Sequence, residues 1–272
     1  MRILALGDSL TAGYHDSGNS FSPWAPLLCK LLGVEAVDHV GYSGFTTGQI
    51  LQAKDLPIVR DVVPREWPGY CHQLSTHKYD VVLILVGTND FADKVPADAI
   101  LANIVTLHEI AHQAGARTIA MSAPESKAAL HVPWLGALRR EANEAIRTWA
   151  QAQPSSHVAF VDAAAIVPFS ETAVPRLWEY DGLHMTADGY KALGHGLARM
   201  TREFICGQMP SDHMRTGATV RICGLTRAPQ HNGKVGTVNG RIGRDGRLGV
   251  EVAGGHVLAL RRDNIELLDE IE

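Results

Sequence analysis

Two short segments of this 272-residue chain carry side chains able to do chemistry together. Gly7-Asp8-Ser9-Leu10 follows directly on the apolar run Ile3-Leu4-Ala5-Leu6, so a serine stands on a tight turn at the end of a short buried strand. Far along the chain, Asp181-Gly182-Leu183-His184 sets an aspartate three residues before a histidine, near enough for one turn to present both. A serine hydroxyl is a weak nucleophile until a base takes its proton, and an imidazole is a weak base until a partner fixes its tautomer. Ser9, His184 and Asp181 are the three groups that acyl transfer through a serine requires.

Other segments compete for a catalytic reading. His108-Glu109-Ile110-Ala111-His112 is a literal H-E-x-x-H, which on a helix sets two imidazoles on one face with a glutamate between them, as in metalloproteases. The extended form of that pattern continues to Gly115, but its next ligand falls on Thr118. The segment also lies between two expected core strands, so it covers the sheet; its histidines are expected on the solvent side, without metal. Gly41-Tyr42-Ser43 begins like a G-x-S-x-G nucleophile elbow but fails at Phe45. The glycines at 7 and 13 lack both the Gly-Lys-Ser/Thr ending of a phosphate loop and the dinucleotide spacing. Asp8 and Asp90 are expected to fix their loops and take no part as acids.

The elements that must position these residues follow from hydrophobic periodicity. Continuous Val/Ile/Leu/Ala runs predict strands over 2–6, 34–40, 81–86, 118–122 and 158–161, of the kind buried on both faces. Helices are predicted between them over 24–32, 47–54, 98–114, 134–151 and 186–204. In the third of these, Ile100, Ile104, Leu107, Ala111 and Ala114 form one face. This alternation implies an α/β fold, a doubly wound parallel sheet of five strands between two helical layers. Ligands bind such sheets beyond the carboxyl ends of the strands, which is where Ser9, residues 41–47 and residues 87–90 fall.

Composition bounds the rest. Hydrophobic residues make up 46% and charged residues 20%, ordinary values for a folded chain. The net charge of −4 is uneven: residues 1–212 hold 16 basic against 22 acidic side chains, and residues 213–272 hold 9 against 7. An acidic main body argues against nucleic acid as a partner. The four cysteines, Cys29, Cys71, Cys206 and Cys223, are far apart and suit reduced thiols. Met1 leads straight into the first expected strand and no apolar run approaches membrane-spanning length, so a cytoplasmic location without a transmembrane segment is expected.

Four segments together resemble the SGNH hydrolases, also called GDSL-type esterases and lipases: Gly7-Asp8-Ser9-Leu10, Gly41-Tyr42-Ser43-Gly44, Gly87-Thr88-Asn89-Asp90 and Asp181-Gly182-Leu183-His184. The resemblance spans residues 1 to about 206. It implies a flavodoxin-like αβα sandwich and a carboxylic-ester hydrolase, with Ser9 as nucleophile, His184 as base and Asp181 orienting the imidazole. The oxyanion hole is then the Ser9 and Gly44 N–H groups with the Asn89 amide. No cofactor is implied. Arylesterases, lysophospholipases, acyl-thioesterases and carbohydrate deacetylases share these segments, and the cytoplasmic expectation favours small soluble esters of short acyl chain or acyl-thioesters. Phe91, Trp178 and Tyr180 are candidates either to wall a substrate pocket or to pack the loops down.

Residues 207–216 read as a polar linker, and residues 217–272 as a small β-barrel, similar in a general way to SH3-like barrels. Strands are expected over 219–223, 234–238, 248–252 and 256–260, with turns at Asn232-Gly233, Asn239-Gly240, Asp245-Gly246 and Gly254-Gly255. A stabilising role or a protein partner is expected for this tail. A contrasting possibility makes the tail the working part, a binding module on a hydrolase scaffold.

Overall fold

The structure, a computed structural model, describes residues 1–206, 217–225, 228–242, 247–261 and 264–268. Five parallel strands form the central sheet: β1 (Arg2–Gly7), β2 (Ala36–Gly41), β3 (Val81–Leu85), β4 (Arg117–Met121) and β5 (Val158–Val161). Their order is β2-β1-β3-β4-β5, so the chain winds outward in both directions from β1 and β3. That reversal opens a crevice at the carboxyl ends of these two strands.

Successive side chains on a strand point to opposite faces, and both faces here are apolar. Leu4, Leu6, Val82, Ile84 and Ala120 enter one core, while Ile3, Ala5, Val81, Leu83 and Ile119 enter the other. The first core is covered by α3 (Thr47–Ala53), α4 (Tyr70–Thr76), α6 (Ala97–Gln113) and α8 (Pro133–Gln151), the second by α2 (Ala25–Leu32) and α10 (Ala187–Cys206). The expected αβα sandwich is therefore present. Helix α4 has no counterpart among the sequence-based expectations. Further short helices follow strand ends or connect elements: α1 (Ser9–Ala12), α5 (Thr88–Ala92), α7 (Lys127–His131) and α9 (Ala163–Ile166).

On α6 the buried face holds Ile100, Ile104, Leu107 and Ala111 as expected, and also His108, whereas Ala114, expected on the same face, caps the helix and is exposed. His108 is 0% exposed, lies 4.7 Å ring to ring from Trp149 of α8, and neither ring nitrogen has a hydrogen-bond partner. His112 is partly buried, with Nε2 2.9 Å from Thr118 Oγ1. The solvent-side placement expected for this pair fails for His108 and holds only in part for His112. Position 108 lies four residues after Ile104 and one after Leu107, inside the apolar stripe. Among the described residues no group of three His, Cys, Asp or Glu side chains is arranged to hold a metal ion. No helix of the described residues is long and apolar enough to cross a membrane.

The chain divides into two compact units, Met1–Gly207 and Gln208–Glu272. In the second, five antiparallel strands β6 (Thr219–Ile222), β7 (Val235–Ile242), β8 (Leu248–Val252), β9 (His256–Leu260) and β10 (Ile265–Leu267) pair in the order β9-β8-β7-β6-β10. Val220, Ile222, Val238, Val250, Val252, Leu260 and Ile265 form its core. Asn239-Gly240 is not a turn: it lies inside β7, where the pairing with β8 shifts register between Val238 and Ile242, so the pair marks a bulge. Asn232 bridges the N–H and C=O of Leu225, and Asn264 holds the Cys223 carbonyl, so both asparagines tie down loops. The expected linker and the Asp245-Gly246 turn lie outside the described residues.

Candidate active site

The turn after β1 is forced by close packing. A side chain on Gly7 would place its Cβ 2.4 Å from the Leu85 carbonyl oxygen and 2.0 Å from Thr11 Oγ1. Asp8 caps α1 by accepting the Leu10 N–H at 2.9 Å, and Gly13, at φ +75°, ends that helix after one turn. Ser9 therefore opens a one-turn helix at the sheet edge and is 6% exposed. Burial pushes the Asp8 carboxyl up to about 6.

The second and third loops are tied to the first and to each other. Tyr42 N–H donates to the Gly7 carbonyl at 2.9 Å, which carries the chain past β2 alongside the serine turn. Gly44 follows at φ +80°, and a Cβ there would fall 2.5 Å from Val62 Cγ2, so glycine is required on both counts. Asn89, in α5, donates through Nδ2 to the Phe45 carbonyl at 2.9 Å. Asp90 accepts the Thr47 N–H at 2.9 Å and the Thr47 hydroxyl at 2.6 Å. Its expected loop-fixing place is the one observed.

Asp181 turns its own segment back on itself. One carboxylate oxygen accepts the N–H groups of Leu183 and His184, at 2.8 and 3.0 Å. The other lies 2.7 Å from His184 Nδ1. Burial acts to raise this carboxyl, but the hydrogen bonds from the imidazole and the two N–H groups outweigh it, so Asp181 is held below the ordinary carboxylate value. An ionised carboxylate only accepts, which puts the imidazole proton on Nδ1 and leaves the Nε2 lone pair free. Nε2 lies 3.0 Å from Ser9 Oγ, across 175 residues of chain.

Ser9, His184 and Asp181 are thus brought into one hydrogen-bonded series, with Gly44 and Asn89 on loops fixed to the same sheet edge. The candidate pocket walls differ in their surroundings. Phe91 is 4% exposed and belongs to one core, and Trp178 is fully buried in the other, where its Nε1 donates to the Pro168 carbonyl at 3.3 Å. Tyr180 points outward at 77% exposure. The burial of Phe91, on α5, and of Trp178, three residues before Asp181, is that of side chains packed into apolar layers.

Two residues escaped the sequence reading. The Tyr14 ring lies against the His184 imidazole, and Asp61 accepts the Ser43 N–H beside Gly44. Tyr14 reaches the site by pairing Tyr14–His15 with Ser20–Phe21 in a two-residue ribbon, too short to show periodicity. Asp61 stands 18 residues from the backbone it holds, with no local pattern to announce it.

Comparison with known proteins agrees with this architecture. Residues 5–192 match the model of the GDSL-like lipase/acylhydrolase family. A carbohydrate esterase family 3 protein from Talaromyces cellulolyticus superposes with a TM-score of 0.56 at 17% identity, over 76% of this chain and 99% of that one. A lipase/acylhydrolase from Enterococcus faecalis gives 0.51 at 24% identity, over 74% and 96%. A member of the lipolytic protein G-D-S-L family from Veillonella parvula gives 0.53 at 16% identity, over 73% and 96%. At these identities the likeness speaks to the fold. A search of curated proteins gave no significant match. With its family match covering most of the αβα unit, the chain belongs to the GDSL-like lipase/acylhydrolase family of SGNH hydrolases.

Proposed function

We propose that this protein hydrolyses carboxylic esters of short acyl chain through an acyl-enzyme on Ser9. The observation that carries the reading is the series Ser9 Oγ, His184 Nε2, His184 Nδ1, Asp181 Oδ2, with hydrogen-bond distances of 3.0 and 2.7 Å, set at the sheet's topological switch point. In this reading Ser9 Oγ attacks the ester carbonyl carbon while its proton passes to His184 Nε2. The carbonyl oxygen becomes an oxyanion, and the C–O bond to the alcohol breaks as His184 returns the proton to the leaving oxygen. Water then attacks the acyl-Ser9 ester by the same route and regenerates the hydroxyl.

Three neutral donors stabilise the oxyanion: the Ser9 N–H, the Gly44 N–H and the Asn89 amide. Among the described residues no acceptor takes either of the two backbone N–H groups. Asn89 Nδ2 spends one hydrogen on Phe45 and keeps a second. One such donor is worth roughly 3 kcal/mol in related chemistry. Asp181 is the orienting carboxylate.

The choice of short acyl chains rests on Phe91 and Trp178, which are packed in the cores and so are not counted as walls of a long acyl pocket. The E. faecalis lipase/acylhydrolase and the T. cellulolyticus carbohydrate esterase both fall within ester chemistry. A panel of p-nitrophenyl esters of increasing chain length, acyl-thioesters, lysophospholipid and acetylated sugars tests the substrate class. The reading predicts the highest kcat/KM on short oxygen esters. A preference for thioesters, lysophospholipid or acetyl sugars by tenfold or more would move the protein to that class with the same residues in the same roles. The β6–β10 unit is read as a separate SH3-like module outside the chemistry.

A further inference from the structure

We infer that Asp61 is a positioning residue for the oxyanion hole, acting through the backbone around Gly44. The inference rests on the acyl-transfer reading above. Asp61 sits in the hairpin formed by Val59–Arg60 and Glu66–Trp67 and is 6% exposed; the Arg65 guanidinium acts on it electrostatically, but no cationic side chain is hydrogen-bonded to it among the described residues. Its carboxylate instead accepts four N–H donors. Oδ2 takes the Ser43 N–H at 3.1 Å and the Trp67 indole at 3.0 Å, and Oδ1 takes the Val63 and Arg65 N–H groups at 3.1 and 2.9 Å.

This set of contacts reaches the oxyanion loop from one side. Val62, next in sequence, donates its own N–H to the Ser43 carbonyl at 3.1 Å, so both backbone groups of Ser43 are held by residues 61 and 62. On the far side of Gly44, the Phe45 carbonyl is held by Asn89. Gly44 is therefore the one unclamped residue between two clamped ones, in a left-handed conformation with Val62 filling the space a side chain would need. A donor aimed at a developing charge contributes most when it need not move during the reaction.

The residue type follows from acceptor capacity. Four N–H groups converge on one side chain, and only a carboxylate offers enough lone pairs on two oxygens. An asparagine would turn an NH2 toward two of the donors and lose those bonds.

The test compares Asp61→Asn and Trp67→Phe with the unaltered full chain and with Ser9→Ala. Kinetics use p-nitrophenyl acetate, and phosphonylation of Ser9 by a fluorophosphonate is followed by mass, since it builds charge on a phosphoryl oxygen in the same hole. Asp61→Asn should lower kcat by about 10- to 100-fold with KM within about threefold, because a small misplacement of a catalytic group costs that much in rate. Phosphonylation should slow in the same proportion. Trp67→Phe removes one donor and keeps the ring, so a smaller fall of the same kind is expected, about threefold, for one loosened bond. It decides the matter if Asp61→Asn does not fold.

A folded Asp61→Asn with kcat within twofold, or with KM raised and kcat kept, overturns the inference while leaving the Ser9 reading standing. The same holds for an unchanged Trp67→Phe if it is the only folded variant. A full chain that neither hydrolyses the ester nor is labelled at Ser9 overturns both.

Discussion

The ring of Tyr14 lies against the imidazole of His184, with centroids 4.3 Å apart and planes inclined at 41°. The Tyr14 backbone is pinned by Tyr190, whose hydroxyl donates to the Tyr14 carbonyl at 2.9 Å, so the contact is built into the fold. In the proposed mechanism His184 takes the Ser9 proton and becomes a cation beside an aromatic face, an arrangement worth about 0.5–1 kcal/mol where partly exposed. Tyr14→Leu should therefore lower kcat about two- to fivefold, by that energy, while Tyr14→Phe keeps the wild-type value. Equal losses in both variants would assign the effect to the phenol hydroxyl.

Asn89 combines a loop contact with a free amide hydrogen. Asn89→Ala should reduce kcat by about 10²–10³ with little change in KM, as expected when a transition-state donor is removed. Steady-state kinetics on a short ester separate the two parameters. A rise in KM at constant kcat would make Asn89 a residue that holds Phe45 or the substrate.

Buried His108 makes stability depend on pH. Burial pushes its imidazole down to about 3 from an ordinary 6.5, because the charged form has no partner between α6 and α8. The folded chain binds this proton more weakly than the unfolded chain does. The contribution to stability is complete above 6.5 and is lost as the pH falls from 6.5 toward 3, reaching about 2 kcal/mol of destabilisation at pH 5. Denaturant unfolding at pH 7.5 and pH 5 should show this loss in the wild type, and His108→Leu should reduce it. An equal pH dependence in the variant would refer the loss to other groups.

The central sheet and the four segments at its edge were legible because each rests on local rules. Strands buried on both faces read as unbroken apolar runs, and the loops after them carry the glycines that close packing demands, as Gly7 does. What escaped depended on contacts between distant residues. Asp61 and Tyr14 reach the site from two-residue ribbons, where a period of two cannot be seen. His108 fits the helical stripe by position, and its polar side chain masked that fit. Trp178 and Phe91 lie within a few residues of candidate catalytic segments, yet their side chains turn into opposite cores. Asn239-Gly240 has the composition of a turn and forms a bulge, because the strand continues on both sides of it.

The C-terminal sheet has its own core, from Val220 to Ile265, and all the candidate catalytic groups precede it. A chain ending at Gly207 should stay soluble and keep kcat/KM on a small ester within about threefold, as expected for separately folding units. A truncated chain that aggregates, or that loses activity on small esters, would show that the αβα unit depends on the tail.

The most direct test is the release of p-nitrophenol from p-nitrophenyl acetate by the purified full chain, by Ser9→Ala, and by the full chain after treatment with a chelator. Turnover by the full chain is expected, unchanged by the chelator, with a loss of at least about 10³-fold in kcat for Ser9→Ala. Turnover that survives Ser9→Ala and disappears with the chelator would contradict the proposed role of Ser9.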